Sequence, residues 1–238
     1  MIENHHETIK YAGVVMQYTL IRSKRKTLSI HVRDTGVEVR APLKMPARDI
    51  ERFVASKEKW IVKGLMTIKE RAKQRELFAL NYGEAIMLRG MQRVITAKSE
   101  APHGFYEQSL YLPPGLTASQ IKSACVKRYR KAAGEYLRER VDFYSQKIGV
   151  SPEIIRINSA KKRWGSCSSK RSVNFSWRLI MADDEVIDYV VVHELAHLIH
   201  MNHSAGFWLI VEKMLPDFRE RRQRLKELGE RLGAQDWD

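Results

Sequence analysis

The chain has 238 residues, 44% of them apolar, so it can bury a sizeable core, which excludes a disordered or fibrous protein. It carries 42 Lys and Arg against 28 Asp and Glu, a net charge of +14 that favours polyanionic partners. Two cysteines, a polar N-terminus and no apolar run near the ~18 residues of a membrane span predict a soluble cytoplasmic protein without a disulfide framework.

The first half of the chain predicts strands around one helix. Alternating apolar residues over 18–41, with a turn at Asp34-Thr35-Gly36, predict a hairpin. Pro46 and apolar residues at helical spacing predict an amphipathic helix over 46–72, and a β-rich stretch follows over 85–112. We therefore predict an N-terminal α+β subdomain over residues 1–115, ending at Pro113-Pro114-Gly115.

The second half, residues 116–238, begins with a long helix. Thr117 and Gln120 form a capping box that opens this helix, which runs to Gly149. Short strands are predicted over 154–157 and 173–180, separated by a basic loop, Ala160 to Arg171. A further helix is expected to begin near Asp183, whose carboxylate can cap its first turn.

His193-Glu194-Leu195-Ala196-His197 lies on that last helix and matches the HExxH pattern. Residues i and i+4 of a helix project from the same face, so His193 and His197 can share one tetrahedral cation, and Glu194 can reach a water beside it. A helix with two surface histidines is the alternative interpretation. Asp188, five residues before His193, could orient a ligand histidine or lie on a solvated face.

A catalytic zinc takes three protein ligands, and the candidates for the third are His200, His203 and Glu212. His200 lies about 10 Å along the helix axis from His193, too far for a compact site unless the helix distorts. His203 requires the helix to end and the chain to turn back. Asn202 suits a left-handed C-terminal cap and Ser204 can cap a new helix, so we favour His203 and keep Glu212 as its rival.

These motifs together resemble the YgjP-like family of zinc metallopeptidases, which is related to the WLM and SprT-like zincins. The resemblance extends from about residue 21 to residue 232. It rests on the runs Ser23-Lys24-Arg25-Lys26-Thr27-Leu28, Arg163-Trp164-Gly165-Ser166-Cys167-Ser168, Asn174-Phe175-Ser176-Trp177-Arg178-Leu179-Ile180-Met181, Ile187 to His197, Asn202-His203-Ser204 and Phe207-Trp208.

The resemblance implies an α+β protein whose catalytic part, residues 116–238, has a zincin-like fold. It also implies a zinc ion held by His193, His197 and His203, with Glu194 as the general base that activates water for hydrolysis. The expected activity is therefore that of a metal-dependent hydrolase, most simply a metallopeptidase.

Three functions compete for this site. A peptidase would bind an extended peptide along Asn174 to Trp177 as an edge strand. A nucleoside triphosphate pyrophosphatase would use the same water chemistry while Arg163, Lys170 and Arg178 bind phosphates. Trp164, Ser166 and Asn174 complete the predicted substrate-binding set. A nucleic-acid-binding module with a structural zinc is disfavoured, because such a closed site needs neither Glu194 nor an open coordination position.

The position of the positive charge bears on the substrate. Residues 121–182 contain 15 basic and 4 acidic residues, whereas residues 183–238 contain 7 basic and 12 acidic ones. We expect the basic segment to line the approach to the zinc site and to attract an anionic substrate. Side chains that point away from His193 would instead indicate an ordinary solvated basic surface.

Overall fold

The computed structural model describes residues 3–11, 14–100 and 102–237. Its strands and helices confirm the mixed α+β class expected from the sequence. The chain divides into two compact units, Met1–Leu77 and Phe78–Asp238, each with its own cluster of buried apolar residues. Among the described residues, no helix is both long enough and apolar enough to cross a membrane.

The first unit is a four-stranded sheet with two helices. Its strands are β1 (Glu3–Tyr11), β2 (Val14–Ser23), β3 (Ser29–Arg33) and β4 (Gly36–Pro42), in the order β1-β2-β4-β3. The predicted hairpin is the antiparallel pair β3–β4, and β2 lies parallel to β4. The predicted single helix is two helices, α1 (Ala47–Ser56) and α2 (Glu58–Leu77), because the backbone leaves helical geometry at Lys57.

The second unit begins with another four-stranded sheet, followed by the long helix. The strands are β5 (Ala85–Leu88), β6 (Met91–Ala97), β7 (Gly104–Tyr106) and β8 (Ser109–Leu112), in the order β5-β6-β8-β7. Helix α3 (Ala118–Ile148) has the predicted capping box and ends at Gly149 in the left-handed conformation, with φ of 78°.

The division between the units lies 38 residues before the boundary predicted at 115/116. The physical reason is that the sheet of β5 to β8 shares its core with α3. Ile95 and Leu110 from the sheet are fully buried in the same cluster as Tyr129 and Leu137 from the helix. Residues 78–115 therefore belong with the histidine-bearing unit.

A three-stranded sheet follows α3 and differs from the prediction in two respects. Its strands are β9 (Ile154–Asn158), β10 (Gly165–Cys167) and β11 (Ser172–Ser176), in the order β10-β11-β9. The predicted basic loop therefore contains a strand, and the second predicted strand ends at Ser176 because a 3-10 helix spans Trp177–Met181. The interpretation of Asn174 to Trp177 as an edge strand is wrong, because β11 is the central strand and β10 forms an edge.

Three helices complete the unit: α4 (Asp184–Ala196), α5 (Ala205–Met214) and α6 (Phe218–Leu232). The caps predicted for two of them are present. The Asp183 carboxylate accepts a hydrogen bond from the amide of Val186, and the Ser204 hydroxyl accepts one from the amide of Phe207. Both helices that flank the histidine cluster therefore begin where the sequence predicts.

The turn between β5 and β6 fixes the start of α4. Arg89 and Gly90 both have positive φ, 51° and 72°, as a two-residue hairpin turn requires. A Cβ at Gly90 would lie 2.7 Å from Cβ and 2.9 Å from Cα of Asp183, so only glycine fits there. The Arg89 guanidinium donates to both carboxylate oxygens of Asp184, at 2.7 and 2.6 Å, which clamps the first turn of the helix.

Candidate metal centre

Three histidines meet where α4 ends and α5 begins. His193 lies in the last turn of α4, His197 is its C-cap residue, and His203 lies just before the Ser204 cap of α5. Each offers one ring nitrogen, and the three nitrogens lie within 4.8 Å of one another. The chain therefore brings together the ligand set favoured from the sequence.

The chain reverses after His197 through short turns and not through the predicted cap at Asn202. Helix α4 ends at Ala196, and the amides of Leu198, Ile199 and His200 bond to carbonyls three or four residues earlier. Asn202 is not among the described residues with positive φ, so the predicted left-handed cap at Asn202 is wrong. The short turns bring His203 back to the helix without it.

Helix α4 is buried on nearly every side, and this burial makes it a rigid support for the histidines. Ten of its residues are buried, including Asp188. Both expectations for Asp188 are wrong, since it neither contacts a histidine nor lies on a solvated face. It accepts hydrogen bonds from Arg140 at 2.7 and 2.9 Å and from the Tyr144 hydroxyl at 2.9 Å, which anchors α4 to α3.

The donor set fits a tetrahedral metal ion. The Nε2 atoms of His193 and His203 are 3.2 Å apart, close to the ~3.3 Å that separates two nitrogens bound to one zinc at ~2.05 Å. Nδ1 of His197 lies 3.0 Å from the carbonyl oxygen of His200, the acceptor that a ligand histidine commonly uses to fix its tautomer. The other candidate, Glu212, is exposed, accepts from Arg219 and is not part of the cluster.

An aromatic wall surrounds the three histidines. The ring of Phe207, fully buried, lies 4.9, 4.6 and 4.8 Å from the rings of His193, His197 and His203, measured between centroids. Trp208 stacks on His203 at 5.7 Å and 25°. These contacts restrict the imidazole rotamers, so the nitrogens are held together before any ion binds.

The carboxylate of Glu194 is buried beside the cluster. The residue is 6% exposed, and its Oε2 atom has no hydrogen-bond partner. Buried polar atoms are normally paired, so an unpaired carboxylate oxygen here fits a site that receives a further polar group. Gly165 of β10 packs directly against it: a Cβ at this position would lie 2.5 to 2.7 Å from Oε1, Cγ and Cδ of Glu194.

Burial dominates the electrostatics of the centre. It lowers the pKa of His193 to about 3, with the charges of His197 and His203 adding to the effect, so the ring is neutral and its lone pair is free. Burial and His197 also lower the pKa of His203. Burial raises the pKa of Glu194 to about 8, and the positive charge of Arg163 partly opposes this shift.

A narrow pocket of about 180 Å³ opens between β10 and α4 at this centre. Its walls combine the buried carboxylate and a histidine with aromatic and aliphatic side chains. It is lined by Trp164, Gly165, Tyr189, Val190, His193, Glu194 and Leu225. The pocket can therefore admit a segment of substrate beside both Glu194 and His193.

Two of the predicted substrate residues lie at or near this pocket, and one braces its strand. Trp164 lines the pocket, and Arg163 is exposed and near enough to Glu194 to affect its pKa. Ser166 lies on β10, where its carbonyl and hydroxyl oxygens accept from the Asn174 amide at 3.4 Å each. Asn174 thus braces the edge strand from the central one.

The last two predicted substrate residues, Lys170 and Arg178, have different surroundings. Lys170 is exposed in the turn between β10 and β11. Arg178 is 6% exposed, donates to the carbonyl of Ser159 at 3.0 Å and lies over the ring of Trp177 at 4.6 Å, which are structural contacts. Arg171, from the same basic segment, donates to the carbonyl of Ser151. Much of this positive charge is therefore used within the fold.

Sequence reasoning missed three residues at the centre. Gly165 supports Glu194, Tyr189 lines the pocket one helical turn before His193, and Arg222 of α6 acts electrostatically on His193 and His203. The spacing of Tyr189 and His193, four residues apart on one helix, is a signal that could have identified the tyrosine. No local signal marks Arg222, because it reaches the site only through the packing of α6 on α4.

Comparisons with known proteins identify the family. No curated protein matches the chain significantly. Among solved structures, the chain is similar to the metallopeptidase zymogen of Pyrococcus abyssi abylysin, at 24% identity and a TM-score of 0.36, over 38% of this chain and 92% of that one.

The sequence itself gives the stronger match. The family described as YgjP-like, metallopeptidase domain, matches residues 26–228, which include β10, the HExxH helix and His203. This confirms the resemblance drawn from the motifs. Because this match covers most of the chain, the chain belongs to the YgjP-like metallopeptidase family.

Proposed function

We propose that this protein is a zinc-dependent peptidase in which His193, His197 and His203 hold the metal and Glu194 is the general base. One observation carries the proposal: three imidazole nitrogens lie within 4.8 Å of one another, and one of these histidines, His193, lines a pocket together with the buried Glu194, whose Oε2 atom is unpaired. A zinc ion supplies Lewis acidity, which polarises a carbonyl oxygen and lowers the pKa of a water molecule.

Glu194 moves the protons of the reaction. Its carboxylate takes a proton from the attacking water and then delivers it to the nitrogen of the departing amine. Gly165 and the buried surroundings hold the carboxylate in one position, so little reorganisation is needed when the substrate arrives.

The edge strand β10 offers a place for the peptide. It pairs with β11 on one side, and among the described residues no strand pairs with its other edge. An extended peptide can add to this edge through backbone hydrogen bonds, which leaves its side chains to be selected by pockets. The peptide would pass Gly165 and so bring a backbone carbonyl beside Glu194.

Hydrolysis of an unfolded protein tests the proposal. The zinc-loaded protein should cleave reduced β-casein, and Glu194→Gln should lower the rate by at least about 100-fold while retaining one zinc per chain by mass spectrometry. Glu135→Gln, which alters an exposed glutamate on α3, serves as the matched control and should cleave at the wild-type rate. A Glu194→Gln variant as fast as the wild type would contradict the mechanism.

Phosphoanhydride hydrolysis is a second candidate, and exposed arginines near the centre favour it. Arg163 and Arg222 both act electrostatically on residues of the site and can bind phosphate oxygens. A panel of nucleoside triphosphates offered to the same zinc-loaded protein separates the two. Metal-dependent release of pyrophosphate without any cleavage of casein would replace the peptidase proposal.

A further inference from the structure

A second, larger cleft adjoins the pocket at the candidate metal centre. It has a volume of about 490 Å³, and α6 provides most of its walls. We call it the α6 cleft; it is lined by Trp164, Arg219, Arg222, Gln223, Leu225 and Lys226. Trp164 and Leu225 line both cavities, so the α6 cleft lies directly beside the pocket of Glu194 and His193.

The cations of this cleft are available to a ligand. Arg222 and Lys226 are exposed, and among the described residues neither has an ion-pair partner. Arg219 pairs with Glu212 at 3.2 Å, but both side chains are at least half exposed, and such pairs are weak and easily exchanged.

Other arginines of the same helix contrast with these. Arg221 pairs with Asp217 at 2.9 Å and also donates to a backbone carbonyl. Arg224 pairs with both Asp183 and Glu185, at 2.5 and 2.6 Å, at the start of α4. Arg221 and Arg224 are therefore held in ion pairs, whereas Arg222 and Lys226 of the cleft have no ion-pair partner among the described residues.

A stack of rings connects the cleft to the metal ligands. Trp208 stacks on His203 at 5.7 Å, and the guanidinium carbon of Arg222 lies 5.9 Å from the centre of the Trp208 ring. Trp208 also stacks on Phe218 at 5.3 Å, and the guanidinium carbon of Arg219 lies 4.5 Å from the centre of the Phe218 ring. The two guanidinium groups are thus held at defined positions beside the centre.

The spacing of the cations fits an extended chain better than a compact anion. Arg222 and Lys226 are four residues apart on a helix, about 6 Å along its axis, and Arg219 to Lys226 covers about 10 Å. Alternate side chains of an extended peptide are separated by about 6.8 Å. A triphosphate concentrates its charge in a shorter length, whereas acidic side chains at two alternate peptide positions would match the spacing of Arg222 and Lys226.

We propose that the α6 cleft is a specificity subsite that selects peptides with Asp or Glu at alternate positions on one side of the scissile bond. The proposal rests on the peptidase function proposed above and adds the class of its substrate. In this proposal the charge that selects the substrate comes from Arg222 and Lys226, which lie in the C-terminal segment that is acidic overall.

Matched peptides test this subsite directly. Fluorogenic peptides are built around one bond that the protein cleaves in β-casein, with Glu, Gln or Lys at the second and fourth residues on either side. For substitutions on one side of the scissile bond, kcat/KM should be about tenfold higher for Glu peptides than for Lys peptides at ~50 mM salt, because each Glu peptide forms two exposed charge pairs with the cleft. This preference should shrink towards unity at ~1 M salt, where such charges are screened.

Charge reversal identifies the residues responsible. The double variant Arg222→Glu with Lys226→Glu should reverse the preference, so that Lys peptides are cleaved faster. Lys127→Glu with Lys131→Glu is the control, because it makes the same change in net charge at exposed positions of α3 and should keep the wild-type preference. If the first double variant fails to fold, Arg222→Gln with Lys226→Gln should abolish the preference.

The outcomes distinguish a failure of the subsite proposal from a failure of the peptidase function on which it rests. A zinc-loaded protein that cleaves no peptide overturns the peptidase function itself. Cleavage of Glu and Lys peptides at equal rates, or an unchanged preference in the charge-reversed variant, overturns the subsite alone. Hydrolysis of nucleoside triphosphates that the charge reversal suppresses would assign the cleft to phosphates and also overturn it.

Discussion

Replacing Gly165 by alanine would place a methyl group against the side chain of Glu194. The new Cβ would lie 2.5 Å from Oε1 and 2.7 Å from Cδ, whereas ordinary van der Waals contact begins near 3.4 Å. Gly165 has no positive φ, so the backbone accepts alanine and the effect is purely steric. The carboxylate therefore has to move by about 1 Å or leave its position.

The size of the effect follows from that displacement. A misplacement of ~1 Å in a reacting group costs about 100-fold in rate. We expect kcat/KM of Gly165→Ala to fall by about 100-fold, an increase of roughly 2.7 kcal/mol in the activation free energy. The three atoms nearest to the new methyl group all belong to Glu194, so we expect zinc content to stay at the wild-type value.

The assay compares peptide hydrolysis, zinc stoichiometry and melting temperature for Gly165→Ala and Gly134→Ala. Gly134 lies inside α3, where a Cβ would meet only the mobile end of Arg138 at 3.4 Å. Alanine there should keep the wild-type rate and stabilise the helix by about 0.5–1 kcal/mol. A Gly165→Ala protein that hydrolyses peptide at the wild-type rate would refute the position assigned to Glu194.

Two further predictions concern the third ligand and the anchoring of α4. His203→Ala should weaken zinc binding by more than about 100-fold in a chelator competition, whereas Glu212→Ala should bind zinc as tightly as the wild type. Weaker binding by Glu212→Ala than by His203→Ala would exclude His203 as the ligand. Hydrogen bonds from Arg89 hold the pKa of the Asp184 carboxyl below its usual value of 3.8. These bonds therefore stabilise the folded protein above pH 3.8, and the stabilisation is lost as the pH falls through the pKa of the folded state. Arg89→Gln should therefore lower the free energy of unfolding more at pH 7 than at pH 3 in urea titrations, and equal losses at both pH values would contradict this.

Local signals in the sequence were enough to predict the helix starts and the pairing of His193 with His197. The caps at Thr117, Asp183 and Ser204 use side chains within three residues of the amides they satisfy, so the sequence contains both partners. The spacing of His193 and His197 likewise follows from the period of one helix. Each of these predictions depends on contacts within a single turn.

Features that depend on distant contacts could not be predicted in this way. Asp188 lies 48 residues from Arg140, and nothing near it in the chain indicates a buried ion pair. Strand β10 has only three residues, too few for a periodic pattern, and its pairing with β11 decides which strand is the edge. Arg222 reaches the centre because α6 packs on α4, which local sequence does not encode.

The turn at Gly90 has a consequence for how the protein tolerates substitution. Any side chain at this position would press on the backbone of Asp183, at the first turn of a helix that is about 20 Å long and buried on nearly every side. A buried helix of this kind shifts as a rigid body more readily than it bends. A displacement of its first turn would therefore also move His193. Position 90, over 100 residues away in the chain, should therefore be as intolerant of mutation as the metal ligands themselves.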